Sequence, residues 1–438
     1  MGLEDEGMML QVPDIKVHVS QVKISGLVRT KNDIVVEQIK DVLKANRLQD
    51  VLLESVVSME KLNSLNVFKS INIRLDATNG EEEEGGGDSE KGVIVTFQVR
   101  EKKRVKSSLG ANVGTQSGDM SLSLNAGNVF GRAEEVSLVS MTTFPHWGQS
   151  SQLQFTKPYY KNLNNTLHLS LATTHTKRPF SGYQERSTGP GVAVRFPSRL
   201  GTHTLAWNGD WRNIHGFNHD IPMSLRSHAG HSLKSSLRHS LEIDERDSPF
   251  LPSSGFHVKV TQELAGIGGD VFFGKSEVQG TYYQPLPAGW VFALSLWGGI
   301  LRPYSNNHLP DRFLLGGGTT LRGFGMWGVG PREQGYSKGG ESYWASGVHI
   351  FAPLPLITNA FLRRIKLHSF LTAGNLIESA TLPSVRSLFH STRVSCGLGL
   401  CTRLGLAQIE LNYALPLLAQ KSDSLQPGLQ FGVGMDML

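Results

Sequence analysis

From about Lys106 to its last residue this chain repeats short segments of alternating polarity, and that repeat restricts the folds open to it more than any other feature. Ser121-Leu122-Ser123-Leu124-Asn125 is one such segment, and Gln152-Leu153-Gln154-Phe155-Thr156 is another. Asn165 to Leu171, His257 to Thr261, Gln408 to Tyr413 and the terminal run Leu429 to Leu438 follow the same rule. Successive side chains of a strand point to opposite faces, so each segment has one apolar and one polar face. About sixteen of them follow one another, separated by turns rich in Gly, Pro, Asn and Ser. At roughly ten residues each, they match what a tilted strand needs to cross a bilayer.

A large soluble β protein also alternates, so period two alone leaves sandwiches, propellers and lipocalin-like barrels open. Three features favour a membrane barrel. The segments exceed the ~5–6 residues of a usual soluble strand. No internal repeat of ~40–50 residues marks a propeller. Aromatics gather near expected strand ends, at Tyr159-Tyr160, Tyr282-Tyr283, Trp290 and Tyr343-Trp344, where an interfacial girdle would lie. No stretch has the ~18 consecutive apolar residues of a membrane helix, so any spanning must be by barrel. Two cysteines in 438 residues exclude a disulfide scaffold. Cys396 and Cys401 are five apart on one expected strand and face opposite ways.

The first hundred residues read as a separate α+β module. Val17 to Val28 is an expected strand, and Asn32 or Asp33 can cap a helix running to about Lys44. Ile34, Val35, Ile39, Val42 and Leu43 give that helix an apolar face. A second helical pattern runs from Leu48 to about Leu65, followed by strands over Phe68–Asp76 and Val93–Arg100. The charged, Gly-rich run Glu81 to Asp88 is loop. Residues 1–104 carry 15 Lys+Arg and 18 Asp+Glu, a net of −3, which leaves 43−15 = 28 basic and 38−18 = 20 acidic residues, +8, for the rest. The expected division is a tail over 1–15, the module over 16–103 and the barrel over 104–438.

One stretch breaks the array. Phe313 to Pro331, FLLGGGTTLRGFGMWGVGP, is too rich in Gly for a strand, yet it keeps Leu314, Leu315, Leu321, Phe324, Met326 and Trp327 around a lone Arg322. Such a loop, about residues 303–340, is expected to fold back into an enclosed space.

These residues resemble a known family. A β-α-α-β-β module before a barrel of sixteen strands is similar to the outer-membrane insertase superfamily, with its POTRA domain and BamA-type barrel. Leu321-Arg322-Gly323-Phe324 matches the superfamily's (V/L/I)RG(F/Y) signature in the long loop that enters the lumen. Asn128-Val129-Phe130-Gly131-Arg132-Ala133-Glu134 resembles its NLFGRGE turn, and Asp244 to Gly255 its DxRD…P…G segment. Gly339 to Ala345, Pro353-Leu354-Pro355 and Glu410 to Tyr413 further resemble the barrel-forming core subunit of the mitochondrial sorting and assembly machinery. A single POTRA module suits that branch. So does the acidic start Met1 to Gly7, which has neither the basic n-region and apolar h-region of a secretory signal nor an Arg-rich presequence. Glu6 stands where a myristoylation motif needs Ser or Thr.

The resemblance implies an insertase of the mitochondrial outer membrane, working on β-barrel precursors within the bilayer. Metaxin-like subunits and an inner-membrane organising complex are its implied neighbours, and it implies no nucleic acid, metal, cofactor or enzymatic step. The module would lie in the intermembrane space, since an even strand count puts both barrel ends on one side. A lateral gate is expected between the first strand, Val105–Gly114 with Leu109, Ala111 and Val113, and the last, Gln426–Leu438. Small residues in the first strand leave its register loosely specified, as a gate requires. Gln426, Gly428, Phe431 and Val433 fit the polar-x-Gly-x-x-hydrophobic-x-hydrophobic insertion signal of mitochondrial barrel precursors. For Arg322, bacterial members offer an Asp on the barrel wall. The corresponding stretch here, Phe370 to Gly374, has no acid, so Glu341 and Glu410 are the candidate counter-ions.

The alternative within the superfamily is a protein-translocating outer-membrane channel, which normally carries more than one N-terminal module. A phospholipase or protease barrel is the enzyme alternative, but no Ser/His/Asp constellation can be picked out. His215, His219, His228, His231 and His239 fit no zinc spacing and read as loop or lumen surface. Gly316-Gly317-Gly318 and Gly328-Val329-Gly330 lack the strand-before, helix-after setting of a nucleotide loop.

Overall fold

A computed structural model describes residues 15–78, 91–115, 117–145, 147–159, 162–249, 251–305, 308–354, 364–379, 389–404 and 407–433. The tail before residue 15 and the acidic run Glu81–Asp88 lie outside the described residues. The chain divides into two compact units, one formed by Met1–Lys106, Asn125–Val136 and Phe155–Leu167, the other by Ser107–Leu124, Ser137–Gln154 and His168–Leu438.

In the first unit, β1 (Val17–Ser25), α1 (Asn32–Ile39), α2 (Leu48–Ser64), β2 (Phe68–Ala77) and β3 (Lys91–Glu101) follow in order. The sheet runs β1-β3-β2, with β1 parallel and β2 antiparallel to the central β3. Ile34, Val35, Ile39 and Val42 bury against Val93, Val95, Phe97 and Val99 of that strand. Leu43 is exposed, because the chain tightens to a 3-10 turn over Lys40–Lys44 and its helical spacing is lost. Neither Asn32 nor Asp33 caps α1. Lys31 occupies the N-cap position with no side-chain cap bond, and Asp33 Oδ1 instead accepts from the Ile34 amide at 2.9 Å. What fixes the helix entry is tertiary, and comes from Glu101.

The wall is a closed barrel of sixteen antiparallel strands. They are β4 (Val105–Gly114), β5 (Gly118–Gly127), β6 (Glu135–Phe144), β7 (Gly148–Tyr159), β8 (Asn162–Arg178), β9 (Tyr183–Pro197), β10 (Thr202–His215) and β11 (Gly230–Asp244). Then come β12 (Gly255–Ala265), β13 (Phe273–Pro285) and β14 (Val291–Pro303). A small hairpin, β15 (Arg332–Glu333) and β16 (Tyr336–Ser337), interrupts the wall before β17 (Ser342–Pro353), β18 (Lys366–Ile377), β19 (Arg393–Leu404), β20 (Ala407–Leu418) and β21 (Gly428–Val433). No described helix is long and apolar enough to cross a membrane, and alternation governs the wall. Leu398, Leu411, Tyr413 and Leu415 are exposed on the outer face, while Glu410, Asn412 and Ala414 are buried on the inner one. Tyr159, Tyr282 and Trp290 are exposed as a girdle requires. Tyr343 is not: its ring lies 4.7 Å from Phe313 and its hydroxyl donates to Glu277 at 2.6 Å.

Candidate functional site

The segment between β14 and β17 touches so many strands of the closed wall that only the lumen can hold it. Phe313, Leu315, Leu321, Phe324 and Val329 bury in one cluster with Phe273, Leu301, Ala345 and Leu376. Its Gly content answers a packing demand. Gly316 has φ +109, and a Cβ there would come within 2.8 Å of Gly325 O and Gly328 N, so the loop closes on itself only with glycine.

Arg322 is 2 % exposed and donates through Nη2 to Glu410 Oε2 at 3.3 Å, with its guanidinium 4.9 Å from the Phe370 ring. Glu410 also accepts from Gln408 Nε2 at 2.5 Å and Asn412 Nδ2 at 2.9 Å. Asn412 Oδ1 meets His368 Nδ1 at 2.9 Å, and His368 Nε2 meets His349 Nδ1 at 3.0 Å. Of the two candidate counter-ions, Glu410 therefore supplies this contact from β20. Glu341 lies instead beside a histidine and an arginine, 3.7 Å from His308 Nε2 and 3.9 Å from Arg312 Nη2. The Phe370 stretch contributes an aromatic face where bacterial members offer an acid.

Gly323 and Phe324 lie on the lead-in to the last strand. Gln426 N donates to Gly323 O at 2.9 Å, Gly325 N to Ser424 O at 2.8 Å and Ser424 N to Gly328 O at 2.9 Å, while Phe324 bridges Leu425. Beyond them β21 meets β4. Among the described residues Gly432 pairs with Gly114 and Val433 with Val113 across this seam, and β21 pairs with β20 from Ala414–Gly428 to Ile409–Val433, while residues 434–438 of the expected last strand lie outside the described residues. Thr115 adds its amide to Phe431 O at 2.9 Å and receives the Phe431 amide on Oγ1 at 2.6 Å. Leu109, Val113, Leu429 and Phe431 are exposed, and Ala111 shares the outward parity of Leu109 and Val113. Gln430 is buried on the lumen side. Gly428 has φ +118, a conformation in which any side chain is strained.

The two other motifs prove to be local clasps. Asp244 pairs with Arg246 Nε at 2.8 Å, Asp247 accepts from the Ser253 amide at 3.0 Å, and Arg403 Nη1 donates to Ser248 Oγ at 2.8 Å. In the first unit Asn128 Nδ2 donates to Thr30 Oγ1 at 2.8 Å, Lys31 N to Gly131 O at 2.8 Å, and Arg132 pairs with Asp33 at 2.7 Å. Thr30 is in turn held by Glu101, which accepts from the amides of Val28, Arg29 and Thr30 at 3.1, 3.0 and 2.9 Å and from Thr30 Oγ1 at 2.7 Å. Burial would raise the Glu101 carboxyl, but these donors outweigh it and hold it down to about 2. Nothing in the sequence singles out Glu101; its role depends on a loop 71 residues away.

No group of three metal-ligating side chains exists among the described residues. His239 pairs with His203 at 3.0 Å and His231 accepts from Trp211 Nε1 at 3.1 Å. Cys396 and Cys401 are free thiols.

This geometry has counterparts in known proteins. The model of the Omp85 superfamily domain matches residues 128–437. The sorting and assembly machinery component 50 homolog of Bos taurus is 38 % identical over 432 residues, covering 96 % of this chain and 91 % of the bovine protein. The Homo sapiens homolog is 36 % identical over 456 residues, covering 100 % of this chain and 96 % of the human protein. Among solved structures, BamA from Haemophilus ducreyi lacking POTRA domains 1–3 superposes with a TM-score of 0.81 at 15 % identity, over 95 % of this chain and 84 % of that one, a likeness of fold.

Proposed function

The chain belongs to the Omp85 superfamily, and we propose that it inserts β-barrel precursors into the mitochondrial outer membrane through the β4/β21 seam. The observation that carries this reading is that the lumen loop grips residues 424–426 just ahead of β21, the strand that closes the barrel on β4 through Gly432–Gly114, Val433–Val113 and Thr115. A strand entering hydrocarbon must have its N–H and C=O groups paired, since each orphan costs several kcal/mol. Parting β4 from β21 offers two strand edges on which a precursor can pair before it meets lipid. The step is conformational and uses no chemical reaction. The lumen loop favours this route over a translocating channel, because it is buried against the inner wall and reaches Glu410 on β20.

Arg322 serves as the lock of that loop, and Gln426, Gly428, Phe431 and Val433 as this protein's own insertion signal. Metaxin-like subunits and β-barrel precursors are its partners. The N-terminal module, residues 16–103, faces the intermembrane space and aids release of the finished client. One small domain adds little capture area to a seam that already supplies edges.

Locking the seam tests the reading. Cysteines replacing Val113 and Val433, register partners across the seam, are joined by a disulfide or a short thiol linker in isolated mitochondria. Insertion of a labelled precursor should stop on oxidation and resume on reduction. Unimpaired insertion through the locked barrel would refute the lateral route.

A further inference from the structure

Asp311 is tethered to the wall by several side chains, although no sequence motif marks it. It closes the short 3-10 turn Leu309–Asp311 and is 7 % exposed. Arg212 on β10 donates to both carboxylate oxygens, Nη1 to Oδ2 at 2.7 Å and Nη2 to Oδ1 at 3.0 Å. Lys234 on β11 donates to Oδ1 at 2.7 Å and also pairs with Glu263 on β12 at 2.7 Å. Lys275 on β13 donates to the Asp311 backbone carbonyl at 2.9 Å. Strands β10 to β13 thus converge, directly or through Lys234, on one loop residue.

The far end of the loop is built with the opposite polarity. At Asp311 the acid is on the loop and the cations are on the wall; at Arg322 the cation is on the loop and the acid is on β20. Sliding or inverting the loop would bring Asp311 toward Glu410 and Arg322 toward Arg212 and Lys234, setting like charges together in a buried site. The two pairs therefore specify one seating. They also differ in geometry. Asp311 has a bidentate guanidinium and a second cation at 2.7 Å, whereas Arg322 meets Glu410 at 3.3 Å.

We propose that Asp311 is a positioning residue, the fixed end of a strut whose other end, Gly323–Gly328, grips residues 424–426 just before seam strand β21. The β10–β13 wall holds the base of the loop still, so that the tip is presented to the lead-in of β21. Release of the tip from Ser424 and Gln426 then frees β21 while the loop stays in the lumen. The inference deepens the seam reading and rests on it for its consequence for clients.

The test reads tip docking without any client, so its failure is distinguishable from failure of the seam reading. A Cβ placed on Gly325 lies 3.4 Å from Ser424 Cβ, close to disulfide spacing. The Gly325→Cys, Ser424→Cys pair should therefore cross-link readily in the full-length barrel. Asp311→Asn should slow that cross-link by about tenfold, the effect of losing charge-assisted contacts. Asp311→Glu should restore it, and heat-modified mobility of the folded barrel should be unchanged in both. If Asp311→Asn fails to fold, Arg212→Lys, which keeps the charge but loses the bidentate fork, should slow the cross-link to a smaller but measurable degree. An unchanged rate in whichever of these two variants folds would overturn the proposal.

Discussion

Replacing Arg322 isolates the ion pair proposed to lock the loop tip. Breaking a buried ion pair from one side costs ~3–5 kcal/mol, because it leaves an uncompensated charge. Here Glu410 keeps two amide donors, Gln408 Nε2 and Asn412 Nδ2, so Arg322→Ala falls near the lower end, about 3 kcal/mol. Loss of the guanidinium over Phe370 is part of that cost. Glu410→Gln should cost a similar ~3 kcal/mol by leaving the buried Arg322 charge without its carboxylate. Combining the two removes both charges and leaves chiefly lost packing, ~2 kcal/mol. The double-mutant cycle therefore predicts a coupling of about 4 kcal/mol, far outside the ~0.5 kcal/mol scatter of independent sites. Two assays read it: cross-linking of the Gly325→Cys, Ser424→Cys pair, and assembly of a labelled precursor resolved on native gels. Each single variant should impair both while the protein stays in the membrane, and the double variant should recover much of the cross-linking. Additive losses, or normal client assembly with Arg322→Ala, would refute the reasoning.

Glu101→Gln keeps a carbonyl acceptor but presents an amide to Arg29 Nε, now 3.0 Å from Glu101 Oε2. Amide exchange at Val28–Thr30 should quicken by ~10–100-fold in the full-length protein, and exchange within about threefold of wild type would count against the clasp. Since the folded carboxyl lies at about 2 against an ordinary 4.5, its contribution is fully present above the ordinary value. It is lost as pH falls from there through about 2, so the same peptides should lose protection in that window in wild type but not in Glu101→Gln. Gly428→Ala forces a side chain into φ +118, a strain of about 1–2 kcal/mol. It and Phe431→Gln should slow membrane insertion of this protein, and wild-type kinetics for both would favour an ordinary closing strand. Deleting residues 16–103 should leave precursors bound to the barrel but slow to depart, whereas loss of binding would make the module the receptor.

The barrel was legible in the sequence because strand alternation is local. Each residue's face follows from its neighbours two positions away, as Leu411 and Tyr413 outside and Glu410 and Asn412 inside illustrate. The module's β-α-α-β-β order and the Leu321–Phe324 signature were local in the same sense. What sequence could not decide is which distant residues meet across the closed wall. Glu341 is near Arg322 in the chain, yet Glu410, 88 residues away, makes the contact. Periodicity places Glu410 on the inner face of β20, but only closure and stagger of the barrel bring that face opposite the loop tip. Asp311 gave no signal because its partners come from β10, β11 and β13, each unremarkable alone. The entry of α1 differs for the same reason. Asn32 and Asp33 suit a local cap, but Glu101 fixes the chain ahead of the helix from the far end of β3, and that competition between local and tertiary donors is settled only in the folded chain.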